Sequence, residues 1–198
     1  PGSVTNDFGV PGVQEHALPM KSLADGMRVR SRILGAFERA AREPDLERRR
    51  QLLSFVLIGA GPVGVETASS MRDLMDRSLR TMYPEFDLRR DVSITLVDSA
   101  DRVLGAMDPR LSRIATASLT EQRVTLVLNS LVSEVGAGVV RKTDRSDLPA
   151  ANLVASGGVQ APRREADLRP QPPPPRQSPH AARTTRAGCA PDTPGQGP

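Results

Sequence analysis

A single cysteine in 198 residues, Cys189, excludes an internal disulfide, a redox-active cysteine pair and a cysteine-built zinc site within this chain. It reads as an incidental free thiol. Aromatic residues are scarce as well: one tyrosine, four phenylalanines and no tryptophan leave little for stacking on nucleic-acid bases. Long apolar runs are missing. The longest, such as Leu52–Ala60, fall far short of the roughly 20 residues that cross a bilayer. No basic segment followed by an apolar one stands at the N-terminus, so no secretory signal is legible. The chain opens on Pro1-Gly2-Ser3 without an initiating methionine and reads as the middle of a longer protein.

Charge of one sign is also missing from most of the chain. The formal net charge is +4, but six of the 27 basic residues, three of the 23 acidic ones and nine of the 18 prolines fall in Arg163–Pro198. Residues 1–162 keep 21 basic and 20 acidic side chains, close to neutrality. No basic cluster sits on an element expected to fold, which removes the electrostatic footprint of a nucleic-acid binder.

What is present is an alternation of strands and helices. The first twenty residues look loop-like, broken by Gly9, Pro11, Gly12 and Pro19. Ser22 then reads as an N-cap, with Asp25 three residues later completing a capping box. In the helix that follows, Leu23, Met27, Ile33, Leu34, Phe37, Ala40 and Ala41 recur at helical spacing and predict one buried stripe. Pro44 ends it. Ser54–Ile58 predicts a short strand, and a helix after it runs to about Met82, closed by Tyr83-Pro84. A second strand over Val92–Val97 ends at Asp98. A helix over Pro109–Gln122 is predicted to bury Leu111, Ile114, Ala115 and Leu119, and Val124–Leu128 forms a third strand. Ser130–Val135 and Val139–Arg141 read as a hairpin through Gly136-Ala137-Gly138, and Leu153–Ala155 is the last strand. The order predicts an α/β, Rossmann-like parallel sheet with crossover helices and a small β-hairpin. After Pro162 the apolar period collapses into a Pro/Arg-rich segment, expected to be a disordered tail over 163–198.

The chemistry centres on one turn. Gly59-Ala60-Gly61-Pro62-Val63-Gly64 fits the dinucleotide fingerprint, directly after a strand and opening a helix. The glycines serve separate ends. Gly59 suits the tight turn, Gly61 allows backbone approach to a pyrophosphate, and Gly64 permits close helix–strand packing. The helix N-terminus offers N–H groups and a positive dipole end to the phosphates. Asp98, at the end of the second strand, supplies a carboxylate for ribose hydroxyls. It lies 34 residues past Gly64 rather than the usual ~20, a gap we attribute to a long first helix and the Tyr83–Asp91 loop. An acid there favours NADH over NADPH, and nearby Arg102 pulls the other way.

Several separated segments also resemble one family. Thr5–Val13 with Glu15-His16-Ala17, the helix from Lys21, Phe55–Ala68, Asp98–Leu104 and Leu153–Ala161 occur in the order found in type II (alternative) NADH dehydrogenases, within the pyridine nucleotide-disulfide oxidoreductase-like superfamily. The resemblance covers about residues 3–162. It implies hydride transfer from NADH to FAD and then to a quinone, in a non-pumping enzyme held peripherally on a respiratory membrane. It implies that Gly59, Ala60, Gly61, Pro62, Val63 and Gly64 hold the NADH pyrophosphate, with Asp98 and Ser99 at the adenosine ribose. Glu66 would lie beside the nicotinamide and flavin as the catalytic-site residue, and Gly157 and Gly158 next to both cofactors. Without the family, Glu66 reads equally well as a carboxylate favoured by a helix N-terminus. His16 reads as a structural hydrogen-bonder, though it invites a proton-carrying role.

The departures matter too. The family's FAD-binding glycine turn should precede Pro1, and its later flavin motif and C-terminal membrane anchor are missing. We therefore expect residues 1–50 to be a flavin-domain remnant with a connecting helix, residues 51–162 the NADH-binding domain, and the tail an out-of-frame segment. Such a piece is expected to be soluble and inactive alone, with a homodimer left open. A ferredoxin or disulfide reductase-like flavoprotein, a noncatalytic NADH-binding module and a broken gene product are the alternatives.

Overall fold

The computed structural model describes residues 4–5, 9–156 and 159–160, with side chains for 9–156. The expected disordered tail, Gly157 and Gly158 lie outside the described residues. In chain order the first half forms β1 (Val4–Thr5), α1 (Val13–His16), β2 (Leu18–Pro19), α2 (Leu23–Arg42), α3 (Leu46–Leu52), β3 (Ser54–Ile58) and α4 (Pro62–Leu74). A π-helical turn (Met75–Leu79) carries α4 into α5 (Arg80–Met82), followed by α6 (Leu88–Asp91) and β4 (Ser93–Val97). Then come α7 (Pro109–Glu121), β5 (Val124–Val127), β6 (Val132–Gly136), β7 (Val139–Lys142), β8 (Asp147–Pro149), β9 (Asn152–Ala155) and β10 (Val159–Gln160).

The apolar run Ser54–Ile58 becomes the middle strand of a five-stranded, all-parallel sheet ordered β2-β9-β3-β4-β5. All five residues of β3 are buried, as a strand covered on both faces requires. Their alternation divides two cores. Phe55 and Leu57 face α2, α4 and the π-helical turn, where Val29, Ile33, Phe37, Ala68, Met71 and Met75 pack. Val56 and Ile58 face Val13, Val132, Val135 and Val140, from α1 and a second small sheet. An aromatic trio closes the first core, with ring centroids of Phe37 at 5.4 Å from Tyr83 and 5.7 Å from Phe86.

The expected α/β architecture is observed, with additions: β1 and β10 pair as a separate two-stranded antiparallel sheet, and α1 forms within the expected N-terminal loop. The predicted hairpin gains a third strand, making an antiparallel sheet ordered β6-β7-β8. A short strand, β2, replaces part of the expected N-terminal loop. Both β2 and β8 are edge strands of two or three residues, each containing a proline, which an edge tolerates because no N–H is needed there.

Helix α2 starts as its grammar predicts. Asp25 N–H donates to Ser22 Oγ at 3.2 Å, and Ser22 N–H donates back to Asp25 Oδ2 at 2.9 Å. The stripe differs from expectation. Ile33, Phe37 and Ala40 are buried together with Val29 and Ala36, whereas Leu23 is 84% exposed, Met27 64% exposed and Ala41 exposed. The apolar residues of α2 form an arc wider than its contact with the sheet, and the core takes only one side of it. The same happens at α7, which packs on α4 and on β5 at the sheet edge. Leu119 is buried there, while Leu111 and Ile114 stay exposed and Ser112 takes a buried place.

Candidate nucleotide-binding site

The site grows from the C-terminal end of β3. Gly59 sits at φ +106°, a conformation that side chains rarely adopt, while its N–H still reaches across to Val97 O at 2.9 Å. The chain then turns into α4, whose N-cap is Gly61 and whose first residue is Pro62. Proline costs little there, since the N–H it lacks would have no partner within the helix. Gly61 brings no side-chain oxygen to cap the first turn. The N–H groups of that turn and the positive end of the helix dipole are thus presented to an anion.

The three glycines of the turn are glycine for different reasons. A Cβ on Gly64 would lie 1.9 Å from Gly59 O and 2.7 Å from Ser156 Oγ, so α4 can approach β3 this closely only without one. Gly59 is required by its dihedral angle. Gly61 is required by neither: its backbone is extended at φ −73°, and nothing lies within 4 Å of where its Cβ would be. The described protein atoms give no reason for glycine at this position.

Contacts outside the fingerprint fix the loop. Ala60 N–H donates to Asp98 Oδ2, and Ala60 O accepts from Leu104 N–H at 2.8 Å. Ser156 donates its hydroxyl to Ile58 O and Gly59 O, each at 2.9 Å. Asp98 Oδ1 accepts a second backbone bond, from Ala100 N–H at 2.8 Å. The predicted ribose acid is therefore also a fastening of the glycine turn. Each carboxylate oxygen offers two acceptor sites, so capacity for a hydroxyl remains. The long interval before Asp98 is explained as expected, by helix continuing to Met82 and by α6 within the following loop.

The predicted residues divide between two hollows. Gly59, Asp98 and the exposed Ser99 line a small concavity with Val10, Ser130 and Leu131. Val63 and Glu66 line another, a largely apolar cleft of about 300 Å³ between α2 and α4, with Met20, Val29, Ile33 and Met71. Glu66 is exposed and has no hydrogen-bond or ion-pair partner among the described residues. It is the fifth residue of α4, and the first turn holds no acid, so dipole stabilisation accounts poorly for it. His16 stands apart at the end of α1, its Nε2 3.9 Å from Glu15. Sequence reasoning missed the fastening roles of Ser156 and Leu104. Both lay within quoted motifs, but the partners of Ser156 are about a hundred residues away in the chain and that of Leu104 more than forty, so the pairing was not legible.

A central parallel sheet, a left-handed glycine turn and an uncapped helix N-terminus define a Rossmann-like nucleotide-binding fold. The chain belongs to the pyridine nucleotide-disulphide oxidoreductase family, whose sequence profile matches residues 1–170. It is 32% identical over 140 residues to an external alternative NADH-ubiquinone oxidoreductase of Yarrowia lipolytica, covering 71% of this chain and 24% of that protein. It is 35% identical over 174 residues to a type II NADH:quinone oxidoreductase of Mycobacterium tuberculosis, covering 86% of this chain and 37% of that one. The structure of NDH2 from Plasmodium falciparum in complex with NADH superposes with a TM-score of 0.72 at 20% identity, over 80% of this chain and 33% of that one. The family resemblance drawn from the sequence is borne out. The chain spans only about a quarter to just over a third of these relatives' lengths.

Proposed function

We propose that this chain is the NADH-binding part of a flavin-dependent NADH:quinone oxidoreductase. The observation that carries the reading is Gly61, a glycine facing open space at the start of a helix, where the described protein atoms make no demand for one. A ligand backbone does make that demand, because a Cβ there would hold a pyrophosphate off the N–H groups. In this reading Ala60, Pro62 and Val63 shape the cradle, and Gly59 and Gly64 keep its geometry. Asp98 and Ser99 receive the adenosine ribose, the acid disfavouring a 2′-phosphate. The names of the relatives support NADH and a quinone as substrates of the longer protein.

FAD, when bound, supplies the hydride acceptor. The described residues hold one glycine cradle, which fits one dinucleotide, so most of the flavin site belongs to the rest of a longer protein. In this reading Glu66, which has no partner among the described residues at the α2–α4 cleft, orients the nicotinamide end, and Gly157 and Gly158 are assigned to both cofactors by the family resemblance alone. Among the described residues no helix is long and apolar enough to cross a membrane. Peripheral attachment to a respiratory membrane, and any homodimer, would be properties of the longer protein. Alone, the chain is expected to bind NADH without passing electrons to quinone.

Calorimetric titration of the 198-residue chain with NADH, NADPH and FAD tests this. Saturable NADH binding, weaker NADPH binding and little FAD uptake are expected, with NADH binding abolished in Gly61→Val. A folded chain that ignores NADH would overturn the proposal.

A further inference from the structure

We propose that Ser156, which stands outside the glycine fingerprint, is a positioning residue for the pyrophosphate cradle; this rests on the nucleotide-binding reading above. Glycine leaves a backbone with the widest conformational choice, so a turn containing Gly59 and Gly61 does not hold its own shape. Neighbours must hold it. Gly59 N–H is fixed by Val97 O, and Ala60 by Asp98 and by Leu104 N–H. The Gly59 carbonyl is held by the Ser156 hydroxyl at 2.9 Å.

That carbonyl is the atom against which α4 packs: the vacant Cβ position of Gly64 lies 1.9 Å from it and 2.7 Å from Ser156 Oγ. The hydroxyl and the carbonyl together form the floor on which the first turn of α4 rests. Ser156 is only 5% exposed, and its own N–H donates to Ile58 O at 3.0 Å, so its place at the end of β9 is fixed by the sheet. Its hydroxyl proton, shared between two carbonyls, then carries the rigidity of β9 into the loop. Without it the Gly59–Ala60 peptide keeps only the Ala60 N–H bond to Asp98 and can tilt about it, and the N–H groups that follow lose their common aim. Asp98, which would take the adenosine end, touches the same peptide through Ala60 N–H but is also held by Ala100 N–H, so it should feel the change less.

The test is Ser156→Ala in the full chain, with NADH, ADP-ribose and adenosine titrated well below the Tm of either protein. Loss of one neutral hydrogen bond from the cradle should weaken NADH and ADP-ribose by about three- to tenfold. Adenosine, which has no phosphate, should bind within about twofold of wild type by the same conversion. In the ligand-free chain, amide hydrogen exchange should quicken at Gly59, Gly61 and Gly64 while the core strands stay protected. Unchanged phosphate ligands, or equal weakening of all three, would reduce Ser156 to an ordinary stabilising contact and overturn the proposal. A wild-type chain that binds none of them overturns the nucleotide-binding reading first, a separate result.

Discussion

Adding one methyl group at Gly64 and one at Gly61 should separate architecture from ligand binding. At Gly64 the new carbon would lie 1.9 Å from Gly59 O and 2.7 Å from Ser156 Oγ. A carbon–oxygen contact ordinarily sits at about 3.4 Å, so α4 or the Gly59 carbonyl must retreat by roughly 1.5 Å. Even a gap of 0.5–1 Å forfeits about a quarter to a half of a contact's dispersion energy. Ala68 and Met71, buried at 0% and 3% exposure on the same helix, would lose part of their packing. The cost of Gly64→Ala therefore belongs at the top of the usual overpacking range, roughly 3 kcal/mol. For a chain of this size that is a fall in Tm of about 6–12 °C. At Gly61 the new methyl meets nothing within 4 Å, on a backbone at φ −73° that any residue adopts. Gly61→Ala should leave stability unchanged or raise it by up to about 1 kcal/mol, through the restricted unfolded chain. Its NADH affinity should nevertheless fall at least about tenfold, or 1.4 kcal/mol. Thermal unfolding by circular dichroism and calorimetric titration measure the two effects. Equal destabilisation by both substitutions, or wild-type NADH affinity in Gly61→Ala, would refute the reasoning.

Three further outcomes follow from α2. Ser22→Ala should cost about 1 kcal/mol by removing the N-cap, read from urea unfolding at neutral pH. The Ser22 hydroxyl, donating to Asp25 at 2.8 Å, is the largest influence holding the Asp25 carboxyl below its ordinary value. A carboxylate depressed in the folded state stabilises above its unfolded value of about 3.9 and loses that contribution as pH falls through the folded one. Asp25→Asn should therefore be less stable than wild type at pH 7, with the difference closing as pH drops below about 4. Ile33→Ala, at a side chain 2% exposed, should cost roughly 2–5 kcal/mol, whereas Leu23→Ala should stay within about 0.5 kcal/mol. Comparable losses at the two positions would restore the single buried stripe expected from the sequence.

The sequence was most legible where the physics is local. A run of apolar residues ending in glycines announced β3 and its turn, and a serine three residues before an aspartate announced the start of α2. Even the anomalous interval to Asp98 resolved into helix, as its lack of breakers before Tyr83-Pro84 suggested. Legibility failed where burial depends on what a helix rests against. The apolar arcs of α2 and α7 do not say which of their sides meets the sheet. Leu23, Met27, Leu111 and Ile114 look no different in sequence from Ile33 and Leu119. It failed again at β2 and β8, which are too short to show a period and exist because a longer strand beside them offers hydrogen bonds.

The fingerprint itself was legible as a pattern but not as a set of causes. Gly61 and Gly64 are the same letter three residues apart, and one rule of spacing predicts both. Only the folded chain separates them. Gly64 is explained in full by a carbonyl 1.9 Å from its missing Cβ, so it would be needed in a protein that bound nothing. Gly61 has no such explanation among the described residues, which is why the proposed ligand reading leans on it. Glu66 is a parallel case. A carboxylate in the first turn would be accounted for by the helix dipole, but this one lies beyond that turn, exposed and, among the described residues, unpaired, lining an apolar cleft. Residues that the fold explains carry little information about a ligand. The proposed nucleotide site rests on the few that the fold leaves unexplained.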